Sequence, residues 1–248
     1  MTQSLQSQTS SESQWKGAYV LGGIATILCL VAAVADVVIG SSMGGNLAEL
    51  PQTAVDRFVQ FQQNPWLGLY NLDLLNTAIQ LISVPAYFAL YGALRRVNKP
   101  FALLALIIFL LGTAIFVANN AALPMLELSQ KYSLADETQK PLLAAAGEAL
   151  LARGAHGSLG AFFSFFLPIL AGLIFSLVMF LGKIFSKATA LVGVLGNLFM
   201  LAYVVLVTFA PSVKTMAMAF AMPGGLLLIA WMILFTIRLF QMGIAKDS

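Results

Sequence analysis

The chain has 248 residues, of which 60% are hydrophobic and only 9% are charged. A soluble domain carries about 25% charged residues, so this composition excludes an ordinary soluble protein and indicates an integral membrane protein. The net charge is only +3 and its basic residues lie mostly beside apolar stretches, which excludes the broad basic surface of a nucleic-acid-binding protein. The single cysteine, Cys29, cannot form an internal disulfide and says nothing about the redox compartment.

Six apolar stretches are long enough to cross the hydrocarbon core of a bilayer, which takes about 20 helical residues. They cover residues 17–40, 66–94, 101–123, 157–182, 188–210 and 216–240. Helices are expected because lipid leaves no other partner for backbone polar groups, and because the roughly 10-residue alternation of barrel strands is missing. We therefore predict an all-α fold, a polytopic transmembrane bundle of six helices that forms one domain over residues 17–240.

The N-terminal segment, residues 1–16, consists mainly of Ser, Gln, Thr and Glu and is predicted to be a disordered polar tail. A cleavable signal peptide is an alternative, because Ala33-Val34-Ala35 has the small-x-small form of a cleavage site. The apolar run that follows the tail is longer than the usual ~7 to 15 residues of a signal peptide, which favours a membrane span. Small residues on one face of this span predict a packing seam that includes Asp36 near its end.

The second stretch carries a polar stripe within an arc of roughly 80°, at about 100° per residue. Its members are Asp73, Asn76, Gln80, Ser83 and Tyr87. On a continuous helix Asp73 would lie about 10 Å below Trp66, and an aspartate at the bilayer centre costs on the order of 3 kcal/mol. We therefore expect Asp73 to face the bundle interior, with Asn76 and Gln80 near polar groups of the first or third span. Burial should raise the pKa of Asp73 unless a cation pairs with it.

Two loops contain amphipathic segments. In residues 41–65, Pro51 marks a helix start, with Val55 and Phe58 on one side. In residues 125–156, apolar residues including Leu151 lie on the face opposite Glu148. We predict a short surface helix in each loop, and we expect both to cover the outer mouth of the bundle.

Basic residues predict the orientation of the bundle. The turn that runs from Arg95 to Pro100 holds three positive charges, which is typical of a cytoplasmic loop. Placing it inside puts eight Lys or Arg residues on the cytoplasmic side and five outside. Both termini are then cytoplasmic, including a short tail at residues 241–248, and the expected location is the plasma membrane. Asp36, Asn120 and His156 lie toward the outer side in this orientation.

The only histidine is His156, so paired-histidine zinc motifs and bis-histidine haem ligation are excluded within one chain. No CxxC pair, phosphate-binding glycine loop or nucleotide fingerprint occurs. We therefore predict no catalytic residues, no metal site and no cofactor, and leave open whether the protein is an enzyme. A lone histidine at a helix entrance is more often a cap or interface residue than a ligand. Proton handling by Asp73 with His156 or Glu148 is an alternative role.

The leading hypothesis is a binding or transport protein that admits a small amphiphile, lipid or ion from the outer face into a polar pocket. The candidate ligand-binding residues are Asp73, Asn76, Gln80, Asn120, Asp36 and His156. Two alternatives are a structural or regulatory membrane subunit, acting through small-residue seams on the first and fifth spans, and an intramembrane enzyme. The polar groups could also serve only to hold helices together, since such pairs contribute about 0.6 kcal/mol on average. The expected partners are the lipid bilayer and a small-molecule or lipid ligand, not nucleic acid, and the oligomeric state is open.

The block LGLYNLDLLNTAIQLISVPAYFALYGALRRVNKPFALLAL resembles a bacterial integral membrane family known as domain of unknown function 4386. The similar features are a Leu-rich helix that opens with an acidic residue, here Asp73, and a basic turn, here Arg95 to Lys99. A histidine opening a later span, here His156, and the stretch KATALVGVLGN are also similar. The resemblance covers roughly residues 17–210. It implies a bundle of about six membrane helices and no known activity.

Overall fold

The computed structural model describes residues 2–42 and 50–245 of the chain. Within these ranges the protein is all-α, as the composition predicts, and contains no β-strand. The helices are α1 (Thr2–Ser42), α2 (Ala54–Gln63), α3 (Pro65–Tyr70), α4 (Leu74–Ile82), α5 (Val84–Asn119), α6 (Ala122–Leu134), α7 (Lys140–Gly154), α8 (Phe162–Leu181), α9 (Lys187–Phe209) and α10 (Lys214–Ile244).

Five helical stretches of the described ranges are long and apolar enough to cross a membrane. They are Gln14–Gly40, Leu74–Leu134, Phe162–Leu181, Lys187–Phe209 and Met216–Ile244. Their length and composition are those of a multi-pass membrane protein. The count differs from the predicted six because the second and third predicted spans both fall largely within the 61-residue stretch Leu74–Leu134.

This long stretch folds back on itself at Asn98, whose φ of −153° and ψ of 88° interrupt the helix. The rings of Tyr87 and Phe109 stack with their centroids 3.7 Å apart, and Gln80 Nε2 donates to Thr113 Oγ1 at 3.0 Å. In a straight helix Gln80 and Thr113 would be about 50 Å apart at 1.5 Å per residue. Pro100 favours the break because it lacks an N–H and restricts the residue before it. The reversal lies in the basic turn identified in the sequence.

The predicted continuous helix over residues 66–94 is wrong at its beginning. α3 ends at Tyr70, and a turn follows in which the Asp73 N–H donates to the Tyr70 carbonyl at 3.0 Å. Asp73 has a left-handed backbone conformation with φ of 60°, and α4 begins only at Leu74. Aspartate tolerates this conformation better than most residues, because its short polar side chain can hydrogen-bond locally. Asp73 therefore lies at the entrance of a helix rather than about 10 Å below its start.

A group of short helices packs at the end of the bundle where α4 begins and α5 ends. α2, α3, α6 and α7 share a second apolar core, which includes the fully buried Phe58, Leu72 and Met125. Glu148 on α7 accepts a hydrogen bond from the Ala54 N–H at 2.7 Å, which fixes α7 against the start of α2. The two amphipathic loop segments thus form helices that bury their apolar sides against each other. We call α2, α3, α6 and α7 the cap.

Two further boundaries differ from the sequence-based prediction. The fourth predicted span, residues 157–182, becomes helical only at Phe162, after a turn in which Gly157 has φ of 78°. α1 begins at Thr2 and therefore includes most of the polar N-terminal segment. The disorder that its composition indicates stays a prediction. Residue 1, residues 43–49 of the first loop and residues 246–248 of the predicted cytoplasmic tail lie outside the described residues.

Candidate functional site

Asp73 occupies the turn between the cap and α4. Its backbone carbonyl accepts from both the N–H and the hydroxyl of Thr77 at 2.9 Å, so the first turn of α4 fixes its position. Asn76 Nδ2 donates to Asp73 Oδ1 at 2.9 Å, and the carboxylate side chain is only 13% exposed. The first two members of the polar stripe are therefore in direct contact.

His156 lies beside this carboxylate, in the segment between α7 and α8. Its Nδ1 is 3.4 Å from Asp73 Oδ2, and its Nε2 is 3.0 Å from the hydroxyl of Tyr203 on α9. The Phe165 ring packs edge-on against the imidazole with centroids 4.8 Å apart. The result is a continuous carboxylate–imidazole–phenol chain that joins the start of α4 to α9.

Two further charged groups surround Asp73. Arg57 on α2 is only 4% exposed and interacts electrostatically with Asp73, and Asp36 on α1 interacts with both Asp73 and His156. Burial acts to raise the pKa of Asp73, but the charge and hydrogen bonding of His156, the bond from Asn76 and the charge of Arg57 outweigh it. They hold the pKa of Asp73 below its ordinary value. This is the result expected when a cation pairs with a buried carboxylate.

A small cavity adjoins the carboxylate. Its lining includes Asp73, Phe116, Ser164 and Phe165, and its volume is about 10 Å³, which is room for about one water-sized particle. Two oxygens of these residues are buried and lack a close hydrogen-bond partner among the described residues: Ser164 Oγ has none, and Asp73 Oδ2 has only the 3.4 Å contact with His156 Nδ1. Ser164 is only 2% exposed. Buried polar atoms in native proteins nearly always have a partner, so the two oxygens indicate a place for a donor.

Two amides complete the wall of this cavity and also hold the chain in place. Asn120 Nδ2 donates to the Leu72 carbonyl at 2.8 Å, and its Oδ1 accepts from the Ala122 N–H at 3.1 Å. Asn119 Oδ1 accepts from Arg153 Nε at 2.8 Å. Because these amide groups already have partners, they position the loops around Asp73.

The structure thus brings together four of the six predicted site residues: Asp73, Asn76, Asn120 and His156. Asp36 interacts electrostatically with Asp73 and His156. Gln80 is not part of this group, since it lies two turns further along α4 and lines a different cavity. Glu148 is bonded to the start of α2, so of the two proposed proton-handling partners only His156 contacts Asp73.

Three residues of the site were missed from the sequence: Arg57, Ser164 and Tyr203. Tyr203 lies 47 residues from His156 in a mostly apolar helix, and Ser164 is one small residue in a Phe-rich run. Arg57 is a single basic residue within an amphipathic loop segment. No local pattern distinguishes these residues, because their role depends on contacts between distant helices.

The sequence of the chain matches one protein family. The family described as Domain of unknown function (DUF4386) matches residues 17–239. The chain belongs to this family. No curated protein and no solved structure matches the chain. The description of the DUF4386 family assigns no activity. Within the described residues no three His, Cys, Asp or Glu side chains come together as metal ligands would.

Proposed function

We propose that this DUF4386 protein is a multi-pass membrane protein that binds the ammonium group of a small amphiphile beside Asp73. The proposal is carried by one observation, namely that Asp73 and Ser164 line the same water-sized cavity, where Ser164 Oγ has no hydrogen-bond partner among the described residues and Asp73 Oδ2 has only the 3.4 Å contact with His156. A primary ammonium is of that size and has three donors and no acceptor, which matches a carboxylate oxygen and a hydroxyl oxygen that can both accept. The Asp73 carboxylate supplies the opposite charge.

The apolar side of the cavity also suits a cation. Phe116 and Phe165 both line it, and their rings meet edge to face with centroids 4.9 Å apart. The face of an aromatic ring attracts a cation, by about 0.5 to 2 kcal/mol depending on how far the cation is desolvated. A carboxylate with two phenylalanines favours an ammonium over a neutral hydroxyl, which would leave the charge of Asp73 without a partner.

His156 gives the site a dependence on pH. Asp36 and Asp73 are negative and Arg57 is positive, so the group carries one net negative charge when His156 is neutral and none when it is protonated. Histidine changes its charge between about pH 5 and pH 8. Protonated His156, at 3.4 Å from Asp73, competes with the ammonium for the carboxylate. Binding should therefore be strong above neutral pH and weak in acid.

The membrane arrangement is part of the same proposal. The hairpin at Asn98 supports two crossings for Leu74–Leu134, and hence six in all. The basic turn at Asn98 is placed in the cytoplasm, and the cap, at the opposite end of the hairpin, on the outer surface of the plasma membrane with both termini inside. A ligand would then reach Asp73 from outside, past the cap helices.

The alternative of a membrane subunit that docks through small-residue seams receives less support. A Cβ built on Gly22 of α1 would lie 2.4 Å from the Cβ of Ala89, and one built on Gly196 of α9 would lie 3.1 Å from the Cβ of Leu227. Helices of the same chain therefore already pack against both seams.

The proposal is tested by thermal unfolding of the purified protein in lipid nanodiscs with butylammonium chloride, against butanol and sodium chloride at matched concentration. Butylammonium should raise the Tm more at about pH 8 than at about pH 5, because a protonated histidine beside the carboxylate competes with the ammonium. Butanol and sodium chloride should not raise it. Native mass spectrometry of the protein released from its own membrane should show a bound amine.

Asp73→Asn should abolish the effect of butylammonium, and the matched control is Glu137→Gln. Glu137 is an exposed carboxylate paired with Lys140 near the start of α7, outside the candidate site, so its removal should leave the effect intact. An equal rise in Tm for Asp73→Asn and the wild type, or a rise that does not change with pH, would contradict the proposal.

A further inference from the structure

A second cavity lies deeper in the bundle, between α1, α4, α5, α8, α9 and α10. Its volume is about 180 Å³, far larger than the space beside Asp73. Its polar lining includes Thr26, Cys29, Gln80, Ser83, Tyr87, Asn197 and the indole N–H of Trp231. The proposed ammonium site does not use this cavity.

The wall of this cavity carries no acidic, basic or histidine side chain among its lining residues. A charged ligand would therefore have no counter-charge in a medium of low dielectric constant, which is unfavourable. Any ligand of this cavity should be neutral.

Most polar groups of the wall are already bonded to the backbone. Thr26 Oγ1 donates to the Gly22 carbonyl at 2.8 Å, and Ser83 Oγ donates to the Gln80 carbonyl at 2.7 Å. The hydroxyl of Tyr87 is different, because it has no hydrogen-bond partner in the part of the chain that the structure describes. Its ring is held by stacking on Phe109 at 3.7 Å and by edge contact with Phe175 at 5.8 Å.

The rest of the wall is aromatic and aliphatic, apart from the indole N–H of Trp231, which is buried and has no hydrogen-bond partner among the described residues. Trp231 and Phe235 on α10 are 2% and 1% exposed, and their rings meet edge to face with centroids 4.9 Å apart. A dry cavity of about 150 Å³ is known to accept benzene, so the present volume accommodates a six-membered ring with one small polar substituent. Aromatic walls favour an aromatic ligand through edge-to-face and offset contacts.

We propose that this cavity binds a small neutral aromatic amphiphile, with its ring against Trp231 and Phe235 and its single hydroxyl or carbonyl hydrogen-bonded to Tyr87. This site goes beyond the ammonium site and does not depend on it, since the two cavities share no lining residue among those that define them.

The test uses 4-fluorophenol as the probe, observed by fluorine NMR in nanodiscs that contain the full-length protein and in empty nanodiscs. Protein should produce saturable binding beyond partition into lipid. Tyr87→Phe keeps the stacked ring and removes one hydrogen bond, so the Kd should rise by about three- to tenfold. The matched control is Tyr91→Phe, one turn along α5 and outside the cavity, where the Kd should not change.

Two further variants complete the test. Ile169→Trp adds bulk to the cavity wall and should abolish saturable binding, whereas Asp73→Asn should leave it unchanged. If Ile169→Trp does not fold, Tyr87→Phe against Tyr91→Phe still decides the question. Equal signals with and without protein, or equal Kd values for the two tyrosine variants, would overturn the proposal, and loss of binding in Asp73→Asn would show that it is not a separate site.

Discussion

The two cavities of this protein combine charge and space in opposite ways. The cavity beside Asp73 has charged groups around it and room for about one water-sized particle, whereas the cavity beside Tyr87 has neutral walls and about 180 Å³ of space. A buried charge is stable only when its partners are in direct contact, so the chain segments that carry them must pack closely. Neutral polar side chains can bond to their own helix and leave an opening. Packing should therefore be critical near Asp73 and tolerant near Tyr87.

The strongest way to break this contrast is to remove the partner of the buried carboxylate. His156→Ala leaves Asp73 without its ion pair and should lower the free energy of unfolding by about 3 kcal/mol, the low end for a broken buried pair. The low end applies because the two side chains keep 20% and 13% exposure. Denaturation of the purified variant at about pH 6 measures the change.

The control for this prediction is the double variant Asp73→Asn/His156→Ala. Once the carboxylate is neutral, loss of the imidazole should cost much less, so the two substitutions should be strongly non-additive. Additive effects would mean that the 3.4 Å contact contributes nothing to stability.

Close packing near Asp73 is tested by adding one methyl group. A Cβ on Gly154, at the end of α7, would lie 2.1 Å from the backbone oxygen of Asn119, which cannot move away as a side chain could. Gly154→Ala should therefore destabilise the protein by about 2 kcal/mol. Gly225→Ala on α10 is the control, since no atom lies within 4 Å of its added carbon, and it should be neutral or stabilising. Equal stability of the two variants would contradict close packing around Gly154.

A smaller effect is expected at the inner end of the polar stripe. Thr113→Val removes the acceptor of Gln80 Nε2 and should cost about 1 kcal/mol in unfolding free energy. Thr236→Val is the matched control, because the buried Thr236 hydroxyl has no hydrogen-bond partner within the described residues and its loss should not destabilise. Chemical denaturation of both variants gives the comparison, and a larger loss for Thr236→Val would contradict it.

Those parts of the fold that depend on one continuous stretch of sequence could be predicted. Apolar length alone located α8, α9 and α10 within a few residues, apart from the late start at Phe162, and the charges with Pro100 located the chain reversal. The start of α4 was not predictable, because the run from Trp66 to Leu94 has a helical apolar pattern throughout. Only the left-handed conformation of Asp73, supported by its contacts with Tyr70 and Thr77, separates α3 from α4.

Only those residues of the candidate site whose polar side chains are unusual in a membrane span could be predicted from the sequence. Asp73, Asn76 and His156 were predicted for that reason, and in the structure Asp73 contacts both of the others. Tyr203 and Ser164 are ordinary in an apolar helix, so nothing in the sequence separated them from packing residues. Gln80 shares a face with Asp73 in the pattern, yet the break before Leu74 and the bond to Thr113 place it in the other cavity.

The hairpin at Asn98 also has a consequence for biosynthesis. Its two arms leave the ribosome in succession, before α8, α9 and α10 are made, and they include both members of the Gln80–Thr113 bond and of the Tyr87–Phe109 stack. The polar side chains of both arms can therefore meet each other when the pair enters the lipid together, as a single inserting unit. Tyr203 and Ser164 are made later, so the partners of Asp73 and His156 assemble last, when the final helices close around the hairpin.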